Sequence, residues 1–319
     1  MAIATTTFTR FDAIGVREQL SNIIDNVAPT ETPFMSNAKV GKAKNTLFEY
    51  QTDTLATAVS SNQQLEGDEL TTYTAVVPTV RLTNQCEIGR KTVSVSETQQ
   101  AVDSAGRANE IGYQISKLGM ELKRDMEMSL LANKAVVAGS TSSARKTAGL
   151  AAWIKTNFNK ASDGVAPVYT TTANDVWTEG TARAFTETIL KDVLQQSYTT
   201  GANIKTIMVG AFNKQAFSAF SGVIELMSQV GKGQARIIGA ANSYVGDFGE
   251  VVCVPNRFCD QSMAYFIDFS KVQVNYLRPF KTTVLSKTGD SDKRMMIAEY
   301  GLQVSNEKGL GIATALSTS

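Results

Sequence analysis

Catalysis and metal binding need particular side chains at particular spacings, and this chain is sparing with them. Histidine is absent from all 319 residues. That removes nucleophile–histidine triads, imidazole general bases and imidazole metal ligands. Carboxylate, lysine or tyrosine chemistry stays open. The three cysteines, Cys86, Cys253 and Cys259, are odd in number, and their one close spacing is C-x5-C. That suits neither a disulfide framework nor a zinc site, so they read as small buried thiols.

The remaining constellations are weak. Gly139 to Thr147 has the outline of a phosphate loop, but Ala144 stands at the second glycine and Arg145 at the lysine position. Gly231-Lys232-Gly233 lacks the third glycine of a dinucleotide fingerprint. Both are expected to be loops. Glu66, Asp68 and Glu69 around Gly67 offer oxygen ligands for a hard cation without the spacing of a calcium loop, and a solvated acidic turn is the simpler reading. Glu121, Asp125 and Glu127 fall among lysines in a helical stretch and read as paired surface charge. Arg278, before Pro279, fits either a subunit contact or an exposed strand end. No catalytic, cofactor-binding or metal-binding residue is assigned, no cofactor is expected, and the chain reads as a non-enzyme.

Composition narrows the partners. There are 31 basic and 30 acidic residues, a formal charge of +1. Gripping nucleic acid by its phosphates calls for a basic excess. The densest basic cluster, Lys39, Lys42 and Lys44, is short and reads as part of a solvated arm. Hydrophobic residues make up 43%, enough for a sizeable core. No apolar run has the length of a membrane span, and the start lacks the pattern of a signal peptide. A soluble protein of a cytoplasm is expected.

The elements that would position these residues follow from periodicity. Residues 1–46 read as an arm, with a short amphipathic helix over 12–26 stopped by Pro29 and Pro33. Phe34 and Met35 have no local partner there. They would cover either this chain's own core or a neighbour. At 47–53 and 81–96 the period is two, with Phe48 and Tyr50 on one side of the first strand. The polar stretch between makes a long excursion, strand out and strand back. Its open edges invite pairing with another chain, so Phe48, Tyr50, Glu66 and Asp68 are candidate contacts with neighbouring copies. A helix of thirty-odd residues is predicted over 103–138 from Ile111, Ile115, Leu118, Leu122, Met126 and Leu130. Loops anchored by Leu150, Trp153 and Ile154 follow, then a helix over 185–198, a strand at 206–209 and a helix from 213 to 220. Strands at 251–254, 264–267, 272–276 and 296–304 close the chain, with a polar hairpin tip at Thr288-Gly289-Asp290. The fold class is α+β.

Several stretches, in this order, resemble a family of tailed-phage major capsid proteins with the HK97 fold. They are Gly-Val-Arg-Glu-Gln-Leu-Ser-Asn at 15–22, Pro-Thr-Glu-Thr-Pro-Phe-Met-Ser at 29–36, Phe-Glu-Tyr-Gln-Thr-Asp at 48–53 and Glu-Leu-Lys-Arg-Asp-Met-Glu at 121–127. Val-Pro-Asn-Arg-Phe at 254–258, Tyr-Leu-Arg-Pro-Phe at 276–280 and Lys-Thr-Gly-Asp at 287–290 complete the set. The resemblance implies an arm at 1–46 that wraps neighbours and an extended loop at 47–96 that overlaps the adjacent subunit. It implies a peripheral domain at 97–199 with a spine helix at about 103–138, an axial domain at 200–270, and return strands of the peripheral domain at 271–319. Hexamers and pentamers would tile an icosahedral virion head around double-stranded DNA, held without sequence-specific binding and assembled in the host cytoplasm. Scaffold, portal and decoration proteins would be further partners. An encapsulin-type nanocompartment shell shares the fold and is the alternative.

Overall fold

The computed structural model of the chain describes residues 31–70, 73–102, 109–220 and 242–319. The helix predicted over 12–26 and the Gly231–Gly233 loop lie outside them. The described chain opens with α1 (Pro33–Asn37), β1 (Lys39–Lys42), β2 (Leu47–Thr52), β3 (Val80–Gln85), β4 (Glu87–Ser96) and α2 (Glu97–Ala101). Next come α3 (Glu110–Leu131), α4 (Leu150–Trp153), β5 (Phe158–Asn159), α5 (Glu187–Thr199), β6 (Thr206–Val209) and α6 (Ala211–Ser218). The last part holds β7 (Ser243–Gly246), β8 (Gly249–Pro255), β9 (Ala264–Ile267), β10 (Val272–Val284), β11 (Ser291–Val304) and β12 (Leu310–Ala313).

Three sheets result. One has the order β1-β10-β11-β4, a second β5-β12-β9-β6-β8-β7, and β2 pairs with β3 alone. In the first, β10 and β11 form a long antiparallel hairpin, and β4 joins β11 with Glu87 opposite Tyr300 and Ser96 opposite Ser291. β1 adds to the far edge, parallel to β10, with Lys39 opposite Gln273. The described end of the expected arm is therefore built into the body. Its strand character comes from this pairing, since Lys-Val-Gly-Lys carries no alternating apolar pattern.

Helix α3 lies across one face of that sheet. The Asn109 side chain accepts from the Gly112 N–H at 3.0 Å and caps its start. Ile111, Leu118, Leu122, Met126, Leu130 and Leu131 are buried, the stripe that the spacing predicts. Gly89 of β4 lets the helix approach: a Cβ there would sit 3.0 Å from Leu122. The helix is shorter than predicted. Twenty-two residues give about 33 Å, and residues 132–138 are not helical. Three contacts stop it. Ala132 turns extended at φ −67°, ψ 149°, the Tyr265 hydroxyl donates to the Leu131 carbonyl at 2.6 Å, and the Asn133 amide exchanges hydrogen bonds with the Trp177 backbone. A side chain that serves backbone elsewhere competes with the helix.

The six-stranded sheet carries α5, whose Ile189, Leu190, Val193 and Leu194 are buried in one core. A second and larger core joins α3, the four-stranded sheet and the Leu150–Ile154 anchor, all of which is fully buried. No described helix is long and apolar enough to cross a membrane.

Candidate assembly surfaces

The excursion splits into a sealed root and a bare tip. At the root, β2 and β3 pair from Leu47–Gln85 to Thr52–Val80. Phe48 is buried with Ala43 and Cys86 and lies against Gly301, where a Cβ would come within 2.5 Å of the ring. Tyr50 is half-buried, 6.2 Å from Trp153 between ring centroids, and its oxygen accepts from the Val304 N–H at 3.4 Å. Burial pushes the Tyr50 hydroxyl far above its usual pKa, against the smaller opposing effect of that backbone bond. These two residues, expected to meet a neighbour, are covered by their own chain. Alternation marks a half-buried strand without saying which body buries it.

Beyond Thr52 the described chain has no ladder partner until Val80. Leu55 is 98% exposed, Leu65 82%, Tyr73 84% and Val76 91%. Val59, Leu70 and Val77 are exposed too. Each such side chain forgoes about 1.5–3 kcal/mol of burial, a total on the order of 10 kcal/mol. Glu66 and Asp68 sit on a solvated turn, closed by the Asp68 N–H on the Leu65 carbonyl at 3.1 Å with Gly67 at φ +83°. A left-handed residue at that corner suits glycine. Large apolar side chains left in water in such number are surface that burial against another body would stabilise.

The arm's apolar pair is placed by a residue that sequence reasoning mistook. Phe34 is fully buried in this chain's own core, 6.0 Å from Phe269, and Met35 packs against the same core. Of the two readings for Phe34, the chain's own core is the one realised. Both backbone N–H groups donate to Glu127, at 2.7 and 2.8 Å, and the Asn256 amide donates to it at 2.8 Å. Glu127 was expected as paired surface charge, yet it is fully buried and its partners are neutral donors. Burial raises its pKa, and the three hydrogen bonds oppose that rise. The signal was present: 127 lies four residues before the buried Leu131. Its helix neighbours do carry surface pairs, Lys91–Asp125 at 2.7 Å and Lys117–Glu121 at 3.9 Å.

Arg278 is half exposed and bonds Glu299 through Nε at 2.7 Å; Arg145 binds the other oxygen of the same buried carboxylate. Its guanidinium therefore has a partner within the chain while one side stays open. A second buried carboxylate, Glu87, receives Lys134 at 2.7 Å, the Tyr300 hydroxyl at 2.6 Å, the Thr147 N–H at 3.1 Å and the Ser129 hydroxyl. Burial alone would raise the Glu87 pKa; the Lys134 ammonium and the hydroxyl donors outweigh it and hold the group below the usual range. Gly139–Thr147 is a tight hairpin, with Val137 bridged to Lys146 and Gly139 at φ +80°. All three cysteines are free and buried, and burial pushes their thiols up to about 11, 11 and 12 for Cys86, Cys253 and Cys259.

These are load paths and uncovered surfaces, with charged groups engaged in holding segments together. The model of the family described as SU10 major capsid protein matches residues 3–317. This chain belongs to the SU10 major capsid protein family. A major capsid protein of Escherichia phage Phieco32 is 28% identical over 339 aligned positions, covering 96% of each chain. Among solved structures, a subunit of the cyanophage A-1(L) capsid matches with a TM-score of 0.67 at 14% identity, covering 95% of this chain and 98% of that one. A capsid chain of a native GTA particle matches with a TM-score of 0.64 at 12% identity, covering 96% and 97%. The fold is the HK97-like capsid fold. The protein is a phage major capsid protein, a structural component of the virion that meets neighbouring subunits in an oligomeric shell. Between the two shells that share the fold, the family match selects the phage coat.

Proposed function

We propose that the subunit tiles an icosahedral head as hexamers and pentamers, with the ribbon at 53–79 lying on an adjacent copy. The observation that carries this is the row of apolar side chains on that ribbon, which the chain's own body leaves in water. In this reading 1–46 is an arm whose segment from Phe34 is anchored at Glu127, and 47–96 is the overlapping loop. Residues 97–199 and 271–319 form the peripheral domain around α3, and 200–270 the axial domain at the capsomer centre. Met35, Glu66, Asp68 and Arg278 remain contact candidates, since each keeps surface open to a neighbour. The shell encloses double-stranded DNA without gripping it: a formal charge of +1 gives no net attraction for phosphate. Scaffold, portal and decoration proteins are further partners, assembly takes place in the host cytoplasm, and the subunit performs no catalysis.

The test is deletion of residues 55–78, with a short glycine-serine link from Thr54 to Thr79. The expected product is a soluble, folded subunit that forms no closed shells in negative-stain images. Normal shells from the deletion would refute the overlap.

A further inference from the structure

We infer that the ribbon's seat on the adjacent copy is the open face of its four-stranded sheet, along Arg90, Lys281 and Lys293, and that opposite charge selects it. This rests on the reading that a sibling covers the ribbon, and adds where and by what force.

The only charges on the ribbon are negative. Glu49, at the root, pairs with Arg81 at 3.6 Å; over 53–79 there is no lysine or arginine, and Asp53, Glu66, Asp68 and Glu69 give the ribbon a charge of −4. The rest of the chain then carries +5, from 31 basic and 26 acidic residues. A near-neutral protein has thus concentrated negative charge on a ribbon that its own body leaves bare.

The sheet supplies the complement. Its α3 side is closed, since Gly89 meets Leu122 and Lys91 pairs with Asp125. Side chains alternate across a strand, so Ile88 and Arg90 point the other way. The register sets Glu299 opposite Ile88, Ile297 opposite Arg90 and Lys293 opposite Ser94. On β10, Arg278 stands opposite Glu299 and Lys281 opposite Ile297. The root of this face is covered by Phe48 on Gly301 and by Arg145 on Glu299. Farther toward the hairpin tip it is open: Ile88 is 48% exposed, and Arg90 and Lys281 are exposed. Glu299 is the one carboxylate at these paired positions, and two arginines already match it. Among the described residues neither Arg90 nor Lys281 has an ion-pair partner, and the Lys293 ammonium donates only to the Thr288 hydroxyl.

The result is a basic rim around exposed Ile88 and half-buried Ile297. It faces a partner that must bring carboxylates and small apolar side chains, and the ribbon brings both. The chain's own ribbon leaves Ile88, Arg90 and Lys281 exposed, and its own apolar side chains are exposed as well. Complementary fields also steer the encounter and reject wrong registers.

Carbodiimide joins a carboxylate to a lysine amine, with loss of water, where the two already touch. Assembled particles of the full chain are treated, denatured and separated by size, and the two-chain band is digested for mass spectrometry. The expected product links Glu66, Asp68 or Glu69 to Lys281 or Lys293. Links from these carboxylates to other lysines in the two-chain band would overturn the seat and leave the overlap standing. Links confined to the one-chain band would overturn the overlap as well, and no ribbon link in either band would overturn the seat. Charge inversion adds a functional readout. R90E/K281E/K293E is expected to weaken each contact about tenfold in association constant, and E66K/D68K/E69K in the same chain to restore assembly. Failure of the combined variant to recover, with both parents folded by circular dichroism, would count against charge selection.

Discussion

Replacing Glu127 with leucine should loosen the arm's anchor at a cost that the hydrogen bonds fix. The carboxylate accepts from the N–H groups of Phe34 and Met35 and from the Asn256 amide. Leucine is close in size but accepts nothing. Two of the three donors are buried, and a buried donor left without a partner costs about 1–3 kcal/mol. The loss is therefore about 2–6 kcal/mol, with the apolar side chain offsetting about 1–2 kcal/mol of it. Glu127→Gln retains one acceptor oxygen and turns an N–H toward a donor, so an intermediate loss is expected. Urea unfolding of the assembly-deficient 55–78 deletion would measure stability without the complication of shells. Hydrogen exchange at residues 31–38 would show whether the loss is local. The reasoning is refuted if Glu127→Leu unfolds at the parent's midpoint and Phe34 and Met35 exchange no faster.

Other outcomes follow from the same contacts. Because burial raises the Glu127 pKa, the folded state keeps a proton that the unfolded chain releases; stability should fall as pH rises from the ordinary Glu value toward the raised one, and Glu127→Leu should flatten that slope in pH-dependent unfolding. Glu87 acts in the opposite sense: its contribution is present above the ordinary Glu value and is lost as pH falls through its lowered folded value, so Glu87→Gln should remove an acid-sensitive component from the same curves. Arg145→Ala should cost about 1–3 kcal/mol by leaving one oxygen of the buried Glu299 carboxylate without its partner while Arg278 keeps the other, and the half-exposed Arg278→Ala under about 1 kcal/mol, read from denaturation midpoints. Trp153→Ala, at the centre of the larger core, should cost about 3–5 kcal/mol. The three thiols should resist iodoacetamide in the native subunit and all react once it is unfolded.

Much of the fold was legible in periodicity. The alternation at Phe48-Glu49-Tyr50, the apolar stripe from Ile111 to Leu130 and the paired closing strands all appear where local pattern predicts them. What failed was long-range. Helix α3 ends at Leu131 because Tyr265 and Trp177, distant in sequence, take over its last carbonyl and the following asparagine. Strand β1 exists because β10 offers an edge. Phe34 and Phe48 were both legible as apolar side chains needing cover, but the cover is Phe269 for one and the space left by Gly301 for the other. Glu127 looked like its neighbours Glu121 and Asp125, and only the arm folding back onto it makes it a buried acceptor. The bare tip was the most legible feature, since an excursion with open edges and no local partner is visible in one dimension.

The direct measurement of that tip is hydrogen exchange on residues 53–80 in the isolated subunit and in the assembled shell. Amides that exchange at once in the free subunit should slow by at least about tenfold in the shell, together with lowered side-chain accessibility at Leu55, Tyr73 and Val76. Equal and rapid exchange in both states would mean that no sibling covers the ribbon, and the account of assembly given above would be wrong.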